Sequence, residues 1–387
     1  MAAVGVDAPR IALRLDGWRY PLVVGALSRL WSIAVLAAIG LVDRAPGESA
    51  VGAALAPFGA WDGVWYRRIA DYGYDPTVAH GNGVAFSPLY PMLVRGTASL
   101  LGSSLVLAGV LVSTAAFIPA IVLLHRLIAR RSGERVARTA VWLTAFFPVA
   151  YLFSSVYTES IFLLTTVLAF VLLERGSALG ASFVGSLAVL ARPTGILLAP
   201  SFALRIWRDD DGIRSRWTVL RLATVLLLPA VYIAFGAYLY YRTGNPFAAQ
   251  TAQASGWGRG INVLLVIALP IAVLDGLITA LHDPSRAMYI VDTAFAMLWC
   301  LLMIEGRIRR RLPAEYLLYG ALAVVLPVIA GTYLALPRYG MGIFVVMWLL
   351  AFHVASRRRL DRALRVVLPL ALAATAVVSI AIGFYTP

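Results

Sequence analysis

Long apolar stretches, broken by short arginine-rich segments, organise this chain. They fall at 20–43, 103–125, 139–156, 160–173, 178–191, 194–206, 218–241, 287–304, 315–336, 340–356 and 366–385. Many run unbroken for about 18–25 residues, the length a helix needs to cross hydrocarbon. Outer-membrane strands would instead alternate polar and apolar residues in runs of about ten. The pattern predicts an all-α polytopic membrane protein with about 11 transmembrane helices, folded as one domain over 1–387. The polar N-terminus is too long for a simple cleavable signal peptide, so the first run reads as a retained span.

Two stretches need special paths. The segment 178–206 has basic residues at both ends, so it reads as a hairpin of two short spans bent at Arg192-Pro193-Thr194-Gly195. The segment 262–281 reads as one that does not cross, or as a hairpin broken at Pro270. Otherwise the basic run from Arg307 to Arg311 would change sides.

Composition agrees with a bilayer. Of 387 residues, 61% are hydrophobic and 13% charged, and mean hydropathy is +0.83. A soluble fold of this size has too little interior for that much apolar surface, and disorder requires a polar chain. The net charge is +14, and all 33 basic residues are Arg. They cluster at Arg10/Arg14/Arg19, Arg126/Arg130/Arg131/Arg135/Arg138, Arg205/Arg208/Arg214/Arg216/Arg221, Arg307/Arg309/Arg310/Arg311 and Arg357/Arg358/Arg359/Arg362/Arg365. Placing all five inside gives one consistent topology, with the N-terminus in and the C-terminus out. Topology thus accounts for the charge, and no nucleic-acid partner is expected. Arg in place of Lys, with abundant Ala, suggests a bacterial plasma membrane. The lone Cys300 allows neither an internal disulfide nor a cysteine metal cluster.

With that topology the outer loops are 44–102, 157–159, 192–195, 242–286 and 337–339. The first carries Trp61, Trp65, Tyr66, Tyr72, Tyr74, Phe86 and Tyr90. Such aromatics suit the headgroup level. A belt alone does not explain Asp62, Asp71 and Asp75 among them. Residues 63–72 can form an interfacial helix with Trp65, Ile69 and Tyr72 on one face, ended by Gly73. Asp62 stands at its N-cap, so it reads either as a cap or as a catalytic carboxylate. Glu159, at the outer end of a span, is either solvated or functional. Arg192 lies inside an apolar hairpin, where a buried charge costs at least about 2.5–3.5 kcal/mol and needs a partner or a wet cavity. The segment 244–260 adds Asn245, Gln250, Gln253, Trp257 and Arg259, and the turn 336–340 adds Arg338 and Tyr339. Carboxylates, three arginines and amides under aromatic rings suit a sugar and a phosphate-bearing lipid. No Walker loop, dinucleotide glycine fingerprint or HExxH occurs, so no cofactor is expected and no metal is demanded.

These residues resemble a family. Trp61-Asp62-Gly63-Val64-Trp65-Tyr66, Ile69-Ala70, Tyr72-Gly73-Tyr74 and Ala85-Phe86-Ser87-Pro88-Leu89-Tyr90-Pro91 look like the first-loop signature of PIG-V-type mannosyltransferases. Those comprise GPI mannosyltransferase II and its bacterial relatives, within the GT-C superfamily. The likeness continues through Phe147-Pro148, Ser155, Tyr157-Thr158-Glu159-Ser160, Ala191-Arg192-Pro193-Thr194-Gly195, Trp257-Gly258-Arg259 and Arg338-Tyr339. It departs at Ser87, where eukaryotic members usually carry a second Phe, and it is poor over 262–304.

The resemblance implies a GT-C-like fold with interfacial helices in the first extracytoplasmic loop, 44–102. It implies transfer of mannose from a polyprenyl-phosphate donor to a lipid-linked or glycolipid acceptor, on the extracytoplasmic side of the plasma membrane. Asp62 would be the catalytic carboxylate. The scheme that follows makes Asp62 the general base of an inverting transfer, with Arg338 and Arg192 on the donor phosphate and Arg259 in reserve. Trp61, Trp65, Asp71, Tyr90, Glu159, Gln253, Trp257 and Tyr339 would contact substrate. Residue chemistry alone leaves open another sugar, such as glucose or arabinose, on the same scaffold. A lipid or solute transporter and a non-catalytic scaffold are further alternatives.

Overall fold

A computed structural model describes residues 17–75, 82–210, 212–213, 215–282, 287–331, 333 and 335–383. Arg10, Arg14 and Arg214 of the basic clusters, and residues 76–81 of the first loop, lie outside these. The described residues are helical, with no strand among them. Helix α1 (Arg19–Val42) leads into α2 (Ala50–Leu55), α3 (Gly63–Tyr72) and α4 (Leu89–Leu101). Then come α5 (Leu105–Ser132), α6 (Glu134–Ala145), α7 (Glu159–Glu174), α8 (Ala178–Ala191) and α9 (Leu198–Asp209). The second half holds α10 (Arg216–Val225), α11 (Leu227–Thr243), α12 (Ala248–Trp257), α13 (Leu264–His282), α14 (Ala287–Ile308), α15 (Ala314–Ile329), α16 (Leu336–Gly342), α17 (Phe344–Ser356) and α18 (Arg358–Ala376).

Among the described residues, five helices are long and apolar enough to cross a membrane: Arg19–Val42, Leu105–Ser132, Arg216–Thr243, Met288–Ile308 and Arg358–Ala381. A sixth arises if α16 and α17, bent by 88°, count as one span. The expected eleven are therefore not matched by full-length helices. Hydropathy counts apolar runs but does not register where the backbone breaks inside them. Helices α7, α8 and α15 have 16, 14 and 16 residues, short of the roughly 20 that a perpendicular crossing needs.

The run 139–156 is the clearest correction. Helix α6 stops at Ala145, before Phe146-Phe147-Pro148. Proline lacks a donor and disfavours helix in the residue before it. Residues 146–158 then run without α-helix, apart from a 3-10 turn at Ala150–Ser154. The expected outer loop 157–159 is only the end of this segment, which is buried almost throughout. Irregular backbone survives at such depth only where other protein groups satisfy it. Arg29 of α1 does so. Its guanidinium donates to the carbonyls of Ala145 (3.0 Å) and Ala150 (2.7 Å) and to Ser154 Oγ (3.2 Å). The cation also lies 4.3 Å from the Phe117 ring centroid.

The bend at 192–195 is present. Gly195 folds back so closely that a Cβ there would meet the Ala188 carbonyl carbon at 2.5 Å. The break at Pro270 is not: α13 runs through that proline as one helix and packs against α14. Helix α7 packs between α5 and α8. Its lower half meets an aromatic stack in which Phe170 and Tyr316 centroids lie 4.6 Å apart.

Candidate active site

Helix α3 spans the ten residues expected and ends at Gly73, whose φ of 70° suits glycine. Its buried face is Gly63, Tyr66, Ile69 and Ala70. The expected face was offset, since Tyr72 is 57% exposed and Trp65 only partly covered. Asp62 occupies the N-cap position but makes no side-chain cap bond. Its carboxylate turns instead to Arg338, with Oδ2 2.7 Å from Nη1. Trp61, just before it, sits at φ 53°. A bulky residue in that left-handed region costs on the order of 1–3 kcal/mol, so its surroundings must hold it. The buried 146–158 segment does this. Val156 N–H donates to Phe58 O (2.8 Å). The Tyr157 hydroxyl accepts from Asp62 N–H (3.1 Å) and donates to Ala60 O (3.3 Å).

Arg338 comes from the opposite end of the sequence on the seven-residue α16. Its approach is fixed by α14. Asp292 Oδ1 accepts the Leu336 N–H at 3.0 Å, and Trp299 Nε1 donates to Leu336 O at 3.3 Å. A Cβ at Gly340 would lie 2.1 Å from Trp299 Nε1, so only glycine lets the two helices approach so closely. Neither Asp292 nor Trp299 was picked out from the sequence. The signal was there: Asp292 is an acid inside an apolar run, a rare and costly placement.

Glu159 opens α7 and is almost wholly buried. Its Oε1 lies 3.0 Å from Arg192 Nη1 and 3.5 Å from Arg338 Nε. Its Oε2 has no hydrogen-bond partner. Arg192 sits at the bend, with extended backbone. Three guanidiniums surround the Tyr339 ring: Arg192 and Arg338 at 5.3 Å from its centroid and Arg259 at 5.4 Å. Arg259 Nη2 also donates to the Tyr339 hydroxyl at 2.5 Å. Three arginines thus gather around Tyr339, two of them paired with Glu159 and Asp62. Of the two acids Asp62 is the accessible one, 21% exposed against 1% for Glu159. Burial pushes the Tyr66 and Tyr157 phenols well above their ordinary range, and the nearby carboxylates add to it. Both phenols therefore act as neutral hydrogen-bonding groups.

Beside this centre lies an aromatic wall. Trp65 stacks on Phe86 (centroids 6.2 Å apart, 18° between planes), and Trp257 meets both rings edge-on. Gln253 Nε2 reaches the Ala85 carbonyl at 3.5 Å. Tyr66 joins wall to centre: its ring meets Phe86 edge-on, and its hydroxyl lies 3.4 Å from Thr158 Oγ1, next to Glu159. Trp65, Gln253 and Trp257 are therefore gathered, but against Phe86 rather than against the acids. Two expected contacts are placed elsewhere. Tyr90 is fully buried, its hydroxyl bonded to Ser113 Oγ (2.8 Å) and within reach of the Gly109 carbonyl (3.1 Å). It packs beneath the site. Asp71 is exposed and lines an open groove of about 430 Å³ with Val64, Arg67, Arg68 and Ser104, on the outer face of α3. Among the described residues, no group of three or more His, Cys, Asp or Glu gathers as a metal site.

A family description, Mannosyltransferase (PIG-V), matches residues 34–259. The match contains Asp62, Glu159, Arg192 and Arg259, while Arg338 and Tyr339 lie beyond it. No curated protein sequence matches the chain. Among solved structures, it is similar to the oligosaccharyltransferase of Archaeoglobus fulgidus. The apo form aligns at 14% identity and a TM-score of 0.47, over 97% of this chain and 57% of that one. The complex with zinc and sulfate aligns at 13% and 0.44, over 91% and 53%. The complex with an inhibitory peptide and a dolichol-phosphate aligns at 15% and 0.40, over 97% and 57%. The chain thus spans little more than half the length of these structures. Matched over more than half its own length, the chain belongs to the PIG-V mannosyltransferase family and is a multi-pass membrane protein.

Proposed function

We propose that the protein moves mannose from a polyprenyl-phosphate donor to a hydroxyl of a lipid-linked or glycolipid acceptor, with inversion, on the extracytoplasmic side of the plasma membrane. The arginine clusters support that sidedness. The observation that carries the reading is the ion pair between Asp62 and Arg338, set beside Arg192 and Arg259 around the Tyr339 ring. A sugar phosphodiester carries one negative charge, which a cluster of arginines can receive. Its phosphate oxygens suit the planar donors of Arg338, Arg192 and Arg259.

Arg338 then exchanges Asp62 for the phosphate, and the released carboxylate becomes a free base. The acceptor oxygen attacks the anomeric carbon opposite the phosphate as its proton passes to Asp62. The carbon–oxygen bond to phosphate breaks, and the electron pair leaves on a polyprenyl phosphate that the arginines stabilise. That phosphate leaves well as an anion, so no acid is needed to protonate it, unlike the alkoxide of a glycosidase. The Trp65–Phe86–Trp257 wall offers ring faces for a sugar. Asp62→Asn keeps the shape and removes the base. Turnover is expected to fall by about a hundredfold or more in a folded protein. Near-parental turnover in that variant would show that the base lies elsewhere.

A further inference from the structure

We infer that Tyr157 is a positioning residue for the transfer, holding Asp62 by its backbone and Arg338 by its cation. The inference rests on Asp62 being the base. One buried side chain touches both members of the ion pair. Its hydroxyl bridges the chain on either side of Trp61, accepting from Asp62 N–H and donating to Ala60 O. Its ring lies under the Arg338 guanidinium, 5.6 Å from centroid to cation. Tyr157 is itself anchored. Its carbonyl accepts from Ser113 Oγ at 3.3 Å, and its neighbour Val156 binds Phe58 O.

This arrangement has a consequence for the base. Trp61 holds a left-handed backbone that a bulky residue resists, so the Ala60–Asp62 turn relaxes unless something closes it. The phenol closes it from inside. Without that bridge the carboxylate still exists and still meets arginine, but its direction toward an incoming hydroxyl becomes broad. Catalysis is sensitive to such loss of aim even when binding is not.

Tyr157→Phe removes the bridge and keeps the ring. In purified full-length protein, kcat is expected to fall about tenfold while the donor KM stays within twofold. In an Asp62→Asn background the same substitution is expected to cost almost nothing further, because its effect passes through Asp62. Parental kcat in Tyr157→Phe, or a full tenfold loss persisting in the Asp62→Asn background, overturns the inference. If Tyr157→Phe does not fold, 3-fluorotyrosine at 157 preserves the packing and weakens the hydroxyl as acceptor. A twofold to threefold fall in kcat is then expected, and no change overturns the inference. Failure of the base reading is separately visible: Asp62→Asn would itself remain active.

Discussion

Helix α7 has a glutamate at each end, Glu159 buried and Glu174 part-exposed, and the two ends are built differently. They lie about 22 Å apart along the helix axis. At the Glu174 end the charges close on themselves. Glu174 meets Arg131 and the Tyr316 hydroxyl. Nearby, Glu315 gives Oε1 to Arg205 at 2.9 Å and Oε2 to Arg208 at 3.0 Å, so both oxygens are used. At the Glu159 end one oxygen is shared by two arginines and the other has no partner. Asp62 is partly open to solvent, and three cations crowd one tyrosine. Matched pairs staple helices together. An unmatched set with an accessible acid is suited to receiving an anion and a hydroxyl.

The largest effect that separates the two ends is expected from Arg338→Ala. It should lower kcat/KM for the donor by about a hundredfold, the usual loss when one preorganised donor to a developing anion is removed. The acceptor KM should stay near parental. Equal damage toward both substrates would reduce Arg338 to a structural strut. Glu315→Gln should do the opposite, since it strips a buried acid from two arginines. Because Arg208 is half exposed, the cost should fall below that of a fully buried pair, at about 2 kcal/mol of stability. Thermal unfolding in detergent reads that loss, and turnover per folded molecule should be unchanged. A collapse of turnover with the folded fraction intact would erase the distinction between the ends. The smallest effect belongs to the aromatic wall. Trp65→Ala should raise the donor KM several-fold with little change in kcat, since one stacking face is worth about 0.5–1.5 kcal/mol beyond its area.

Much of the centre could be read from the chain because its chemistry is dense and local. Trp61-Asp62 and Tyr157-Thr158-Glu159-Ser160 place acids where apolar neighbours leave them no ordinary task. Arg192 and Arg338 are cations in apolar surroundings. Helix α3 and its stop at Gly73 followed from periodicity and glycine. Less visible were features that rest on backbone groups. The broken segment 146–158 continues the apolar run from 139, and Pro148 marks where the helix stops but not the hydrogen bonds that hold the rest. Arg29 was not singled out in the first apolar run. Its partners, the carbonyls of Ala145 and Ala150, leave no trace in residue types. Asp292 fixes Arg338 through a backbone N–H 44 residues away, a contact that no spacing rule announces. Asp71 and Tyr90 lie apart from the centre for a related reason. Their residue types suit a sugar site, but helix phase turned one outward and packing enclosed the other.

The claim that Arg338 holds Asp62 until a phosphate replaces it can be tested with one substitution and one ligand. Polyprenyl phosphate, without the sugar, is titrated into parent and Asp62→Asn protein in detergent. Removing the carboxylate that competes for Arg338 should tighten phosphate binding about tenfold, or ~1.4 kcal/mol, in the same variant that has lost transfer. Unchanged or weaker phosphate binding in Asp62→Asn would contradict the exchange and detach the ion pair from the reaction.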